Sequence, residues 1–151
     1  MSQTTVSLYG NASFKGMLYD IGTNDVMSYA AEAAVGFARP VQLGTNKEKQ
    51  VLQATTGAAA MGVALATHSI EQASNGDVQY AIGATVSVLK RGRVWVETND
   101  AVVAGAVANY HVASGKFTDE AVAAGIEALT QLNARFITGT TAAGLAVVEI
   151  K

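Results

Sequence analysis

From Ala33 onward the chain is a series of short apolar runs separated by glycine, asparagine and charged residues. That texture belongs to strands at turn spacing rather than to helices. The run Ala33-Ala34-Val35-Gly36-Phe37-Ala38 leads into Arg39-Pro40. Proline offers no N–H to a ladder, so the strand is expected to end there or to lie at an edge. Leu43-Gly44-Thr45-Asn46 reads as a turn, residues 50–54 as the next extended segment, and residues 61–66 as a strand buried on both faces. The clearest alternation lies in Ala84-Thr85-Val86-Ser87-Val88-Leu89 and Val94-Trp95-Val96-Glu97-Thr98, with Lys90-Arg91-Gly92-Arg93 between them. Two period-two runs around a glycine predict a β-hairpin in which Val86 and Val88 pair with Val94 and Val96. Thr85, Ser87 and Trp95 then share the opposite face, where an outward tryptophan wants a partner.

Residues 107–112, closed by Ala113-Ser114-Gly115-Lys116, predict another strand and turn. Residues 135–138 and 145–150, joined through Gly139 to Gly144, predict a hairpin-like pair. Only residues 118–132 pull toward a helix: Thr118 is a possible N-cap, Asp119 and Glu120 fill a first turn, and Ala121, Ala124 and Ala128 are good formers. Gly125 interrupts them. Residues 1–32 follow no clean period, although Tyr9, Phe14, Met17, Leu18, Tyr19, Met27 and Tyr29 supply apolar anchors. They predict an extended N-terminal arm on a β-domain of residues 33–151. The fold class expected is all-β, a small β-sandwich or barrel-like domain of short strands.

The length, 151 residues, suits one domain. Half the residues are hydrophobic, but 28 are alanine, 18 valine and only 7% aromatic, so the core must be thin and strand-rich. Ten Lys and Arg against twelve Asp and Glu leave a net charge of -2, which disfavours binding to nucleic acid or membrane by bulk charge. Residues 51–69 carry no charge, yet their glutamines, threonines and glycines argue for a buried segment rather than a membrane span. The first residues lack the basic and apolar regions of a secretory signal, which predicts a protein made and used in the cytoplasm.

Chemistry-bearing patterns are few. With no cysteine there is no disulfide, no thiolate nucleophile and no Cys-ligated metal. His68 and His111 stand far apart without metal-triad spacing and are read as structural. Gly44-Thr45-Asn46-Lys47 lacks the spacing of a phosphate loop, and no Gly-x-Ser-x-Gly elbow occurs. Asp20, Asp25, Asp77, Asp100 and Asp119 sit among turn residues, where they bond to nearby backbone. Neither metal nor cofactor is expected, and an enzyme would need titratable groups brought together only by folding. Lys90-Arg91-Gly92-Arg93 reads as a solvated tip, or as a contact with an acidic surface on a partner. The arm's aromatics are either a folded-back flap or an intermolecular contact.

Several stretches together resemble a known family. They are Gly16-Met-Leu-Tyr-Asp20, Ala31-Glu-Ala-Ala-Val-Gly-Phe37, Pro40-Val-Gln-Leu-Gly-Thr45, Met61-Gly-Val-Ala-Leu65, Val86-Ser-Val-Leu-Lys-Arg-Gly-Arg-Val-Trp-Val96, Ala134-Arg-Phe136 and Gly144-Leu-Ala-Val-Val148. In order and spacing they resemble the structural cement, or capsid decoration, proteins of tailed bacteriophages. The resemblance implies a small β-domain, trimeric in relatives, on the outer surface of an expanded head. There it would occupy local three-fold sites and tie neighbouring major capsid proteins together, without catalysis, nucleic acid or membrane. Made in the bacterial host cytoplasm, such a protein ends in the virion. Residues 1–32 match the arm such proteins run over the lattice, whereas residues 118–132 depart from the expected short polar loop. The contact residues this reading nominates, to capsid or neighbouring protomer, are Tyr9, Phe14, Lys15, Tyr19, Arg91, Arg93 and Trp95. The rival reading is a β-sandwich displayed on a virion to bind host surface or glycan, with Trp95 as its platform.

Overall fold

The computed structural model describes residues 13–67 and 78–151. Their secondary structure is entirely strand and turn, as the alternating pattern requires. Twelve strands follow in order: β1 (Asp25–Ala31), β2 (Val35–Gly36), β3 (Pro40–Leu43), β4 (Gln50–Gln53), β5 (Gly62–Ala64), β6 (Gln79–Tyr80), β7 (Thr85–Glu97), β8 (Asn109–His111), β9 (Lys116–Thr118), β10 (Ile126–Ala128), β11 (Arg135–Phe136) and β12 (Leu145–Ile150). The principal sheet runs β1-β4-β3-β5-β7-β12-β11, and β1 also pairs with β7. That second pairing closes β1, β4, β3, β5 and β7 into a barrel, with β12 and β11 continuing outside it. Closure removes edges that would otherwise be open to aggregation. Pro40 opens β3, where a missing N–H costs least. A sheet of β10-β8-β9 and a β2-β6 pair complete the described strands.

β7 organises the molecule, and here the hairpin expectation is overturned. Residues 85–97 form one strand of 13 residues rather than two strands about a turn. Its first half pairs with β1 and β5, Val88 opposite both Met27 and Ala64. Its second half pairs with β12, Val94 opposite Val148 and Val96 opposite Ala146. The valines expected to face each other therefore never meet. Against β1 the register passes from Val26–Leu89 directly to Asp25–Arg91, which leaves Lys90 as the extra residue of a bulge. One extra residue exchanges the two faces of a strand. Val86 and Val88 accordingly point into the barrel with Tyr29, Ala31, Val41 and Val51. Val94 and Val96 instead join Leu89 in a second core outside the barrel wall, with Tyr110, Phe117 and Phe136. Gly92, at φ 135°, allows the strand to bend between the two.

The helix expected over residues 118–132 is also overturned. Thr118 ends β9 and is fully buried, its hydroxyl bonded to Asp100 at 3.1 Å. Residues 121–125 are all exposed, so a helix there would have no apolar face to bury. Gly125 turns at φ 83°, and Ile126–Ala128 is drawn into antiparallel pairing with β8. Asp25–Ala31, at the end of the stretch read as an arm, is a wall strand of the barrel, and residues 1–12 of that stretch lie outside the described residues.

Two buried tyrosines tie the cores to main chain. Tyr80 donates its hydroxyl to the Leu65 carbonyl at 2.6 Å and Tyr110 donates to Ala54 at 2.8 Å. Burial raises both phenols above the ordinary value of 10.0. The folded state thus keeps protons that the unfolded chain releases. Stability from this source is fully present below pH about 10 and falls as pH rises through the higher folded values. Melting temperature measured from pH 8 to 12 should therefore decline above about 10, and a Tyr80→Phe/Tyr110→Phe protein should lose part of that decline. An identical alkaline profile in the double variant would refute the assignment.

Candidate binding face

Residues 16–19 lie antiparallel along the second half of β7. Gly16 N–H donates to Trp95 O at 2.7 Å, Trp95 N–H to Met17 O at 2.9 Å and Tyr19 N–H to Arg93 O at 3.0 Å. Gly16 must be glycine here: it turns at φ 82°, and a Cβ would lie 2.7 Å from the Ala66 nitrogen. Leu18, opposite Val94, packs toward the second core, so Met17 and Tyr19 face outward.

The outward alternation continues across four strands and builds the site in rows. Met17, Trp95, Val147 and Ile137 form an apolar row, since Val147 pairs with Trp95 and Ile137 donates its N–H to Val147 O at 2.8 Å. Val147 is fully buried yet belongs to neither core, so its cover lies on this outer side. Beside it runs a charged row of Tyr19, Arg93, Glu149 and Arg135, each opposite the next. On the other side Lys15 and Arg39 both reach Glu97, at 3.5 Å. Tyr19 meets Trp95 edge-on at 5.8 Å between ring centroids, which supplies the partner that an outward tryptophan wants.

Arg93 is the electrostatic hub. Its guanidinium reaches Asp20 at 2.9 Å and Glu149 at 3.2 Å, and these bonds raise its pKa. Burial alone would raise the Glu149 carboxyl, but hydrogen bonds from Lys151 and Arg93 outweigh it and hold the group below 4.5. Arg135 instead donates to Gly105 O at 3.2 Å. Arg91, opposite Asp25 on β1, makes no ion pair among the described residues. A cleft of about 410 Å³ opens between Asp20, Arg91, Arg93, Glu149 and Lys151. A second, of about 460 Å³, is lined by Phe14, Lys15, Glu97, Lys116 and Leu145.

Six of the seven nominated contact residues, Phe14, Lys15, Tyr19, Arg91, Arg93 and Trp95, are thus gathered on one side of the molecule, and Tyr9 lies outside the described residues. Sequence reasoning missed Met17, Val147, Ile137 and Arg135, which join the face only through long-range pairing. Aromatic, methionine and arginine side chains in the middle of a patch with charged flanks have the composition of a protein–protein contact. The carboxylates on this side are taken up in ion pairs or stand exposed, Asp20 and Glu149 sharing the Arg93 guanidinium. His111 Nδ1 sits 2.9 Å from Ser114 Oγ within its own turn, while His68 falls outside the described residues. Among the described residues no three metal-ligating side chains come together, and no helix is long and apolar enough to cross a membrane.

Barrel, attached outer sheet and apolar-centred face describe a small β-domain with one surface of contact-like composition. A model of the structural cement protein family (E217 gp24/Pam3 gp6) matches residues 2–151, and the chain belongs to this family of phage structural proteins. Its fold is shared with a chain of the solved structure "The capsid of Myoviridae Phage XM1", at TM-score 0.70 and 17% identity over 98% of this chain and 96% of that one. No curated protein matches.

Proposed function

We propose that the chain is a capsid decoration protein. It binds the outer surface of an expanded phage head at local three-fold sites, bridges neighbouring major capsid proteins, and works as a homotrimer without catalysing a reaction. The match to the structural cement family over residues 2–151 carries this reading. Its outward face has the residue types of a protein contact, which supports it. Cementing needs only that attachment to the expanded shell be tighter than to the precursor, because a ligand shifts a two-state system only by its difference in affinity. Three linked contacts, each modest, raise avidity by a factor on the order of 10²–10⁴ where geometry lets them engage together.

Expanded heads and precursor heads lacking the decoration protein provide the test. Purified protein should bind expanded heads saturably, at least about tenfold more tightly than precursor heads, and raise the temperature at which the heads open. Equal or absent binding to the two would overturn the reading. Density from decorated heads should lie on local three-fold positions, and density elsewhere would overturn that placement while leaving the bridging role intact. Native mass measurement reports the trimer directly.

A further inference from the structure

The face centred on Trp95 and Val147 carries charge of the opposite sign to the rest of the chain. Its outward rows and their ion-pair or register partners hold six cations, Lys15, Arg39, Arg91, Arg93, Arg135 and Lys151. Against them stand four carboxylates, Asp20, Asp25, Glu97 and Glu149. The face is therefore +2 on a chain of net charge -2, which leaves -4 for everything else. Arg91 and Arg135 make no ion pair among the described residues and stand exposed on either side of the Arg93 hub.

Resting on the cement reading, we infer that this face is the one that meets the capsid, and that its partner is a surface of the major capsid protein with an apolar centre and an excess of carboxylates around it. Met17, Trp95 and Ile137, lying beside the already buried Val147, supply an apolar centre that a partner would dehydrate, and the unpaired arginines supply forks that grip carboxylates. The same charge argues against a pairing of this face with itself. A two-fold pairing of the face with itself would set +2 against +2, and like charges across an interface oppose association. A three-fold assembly instead joins different patches, so contact of this face with the acidic remainder of another copy is the rival outcome that the test separates.

The test compares three variants with the parent on expanded heads that lack the decoration protein. Arg91→Glu/Arg135→Glu should weaken binding by about tenfold to a hundredfold, and Arg91→Gln/Arg135→Gln by less in the same direction. Lys47→Glu/Lys49→Glu, the same change of net charge on the β3–β4 turn, should bind within about twofold of the parent. Raising sodium chloride from about 50 to about 500 mM should weaken the parent more than the reversed variant, because surface charge pairs are screened. Parent binding with an unaffected arginine double variant overturns this assignment and leaves the cement reading standing. A parent that fails to bind at all overturns the cement reading. A reversed variant whose native mass changes while head binding holds would make the face a contact between copies, and would also overturn the inference.

Discussion

Replacing Phe136 by alanine should cost about 3–5 kcal/mol of folding stability, the range for removing a fully buried phenylalanine. The ring is 1% exposed in the second core. Around its backbone three segments meet: β11 pairs with β12 at Phe136–Val148, Phe136 N–H donates to Ala106 O at 3.0 Å, and Gly105 N–H donates to Phe136 O at 2.8 Å. Its neighbours in this core include Ala108, Ala134 and Ala146, side chains too short to move into the space a lost ring leaves. A cavity in such a core stays open, and the cost rises with its volume. Urea unfolding followed by the fluorescence of Trp95, the single tryptophan, should show the loss as a lower midpoint with little change in slope. A loss below about 1 kcal/mol would mean that this core collapses freely and that β11 is not held by it.

Gly92→Ala should be nearly as damaging, at roughly 2–4 kcal/mol, for a different reason. Gly92 holds φ 135°, a backbone region that L side chains rarely adopt, and such a residue costs on the order of 1–3 kcal/mol. A Cβ would also collide with the Asn24 side-chain oxygen and sit 3.2 Å from Leu89 Cδ1. Asn24 has little room to retreat, because its Nδ2 donates to Gly22 O at 3.0 Å and to Asp20 O at 3.2 Å. Gly92→Ala combined with Asn24→Gly relieves the collision but not the backbone strain, so the pair should be less than additive in a double-mutant cycle. Full additivity would show that the collision plays no part, and a neutral Gly92→Ala would show that the bend does not depend on glycine. Because Arg91 and Arg93 flank the bend, the single variant should also loosen attachment to heads beyond what its stability explains.

Gly92 also shows why the sequence was misread at its most regular place. A glycine between two alternating runs fits a hairpin turn and a bulged, bent strand equally well, since both want a backbone open to positive φ. Val86, Val88, Val94 and Val96 are spaced as either would require. The choice was made by partners far away in the chain: β1 and β5 for the first half, β12 for the second. Residues 118–132 show the converse, with favourable alanine propensity overruled because Ala121, Ala123 and Ala124 have nothing to pack against, while Ile126 and Leu129 do. Of the nominated contact residues, Lys15, Tyr19, Arg91, Arg93 and Trp95 were legible only as aromatic and cationic positions near glycines; in the structure Tyr19 and Arg91 are exposed and the others half-buried. Val147 and Ile137 were not legible: Glu149 marks the outward side of Leu145–Ile150, but only the pairing of β12 with β7 and β11 sets them in one row with Trp95.

The sequence by itself determined an all-β chain of short strands with a thin core, without cysteine chemistry, and with its order of motifs that of the cement family. These follow from composition and from local period, which report whether each side of a segment is buried. Tertiary structure alone decided that Asp25–Ala31 closes a barrel, that one bulged strand serves two cores, and that Met17, Trp95, Val147 and Ile137 share a row. Alternation states that a face is covered, but not by what: strand partners are chosen by long-range register, where one extra residue at Lys90 exchanges inside and outside.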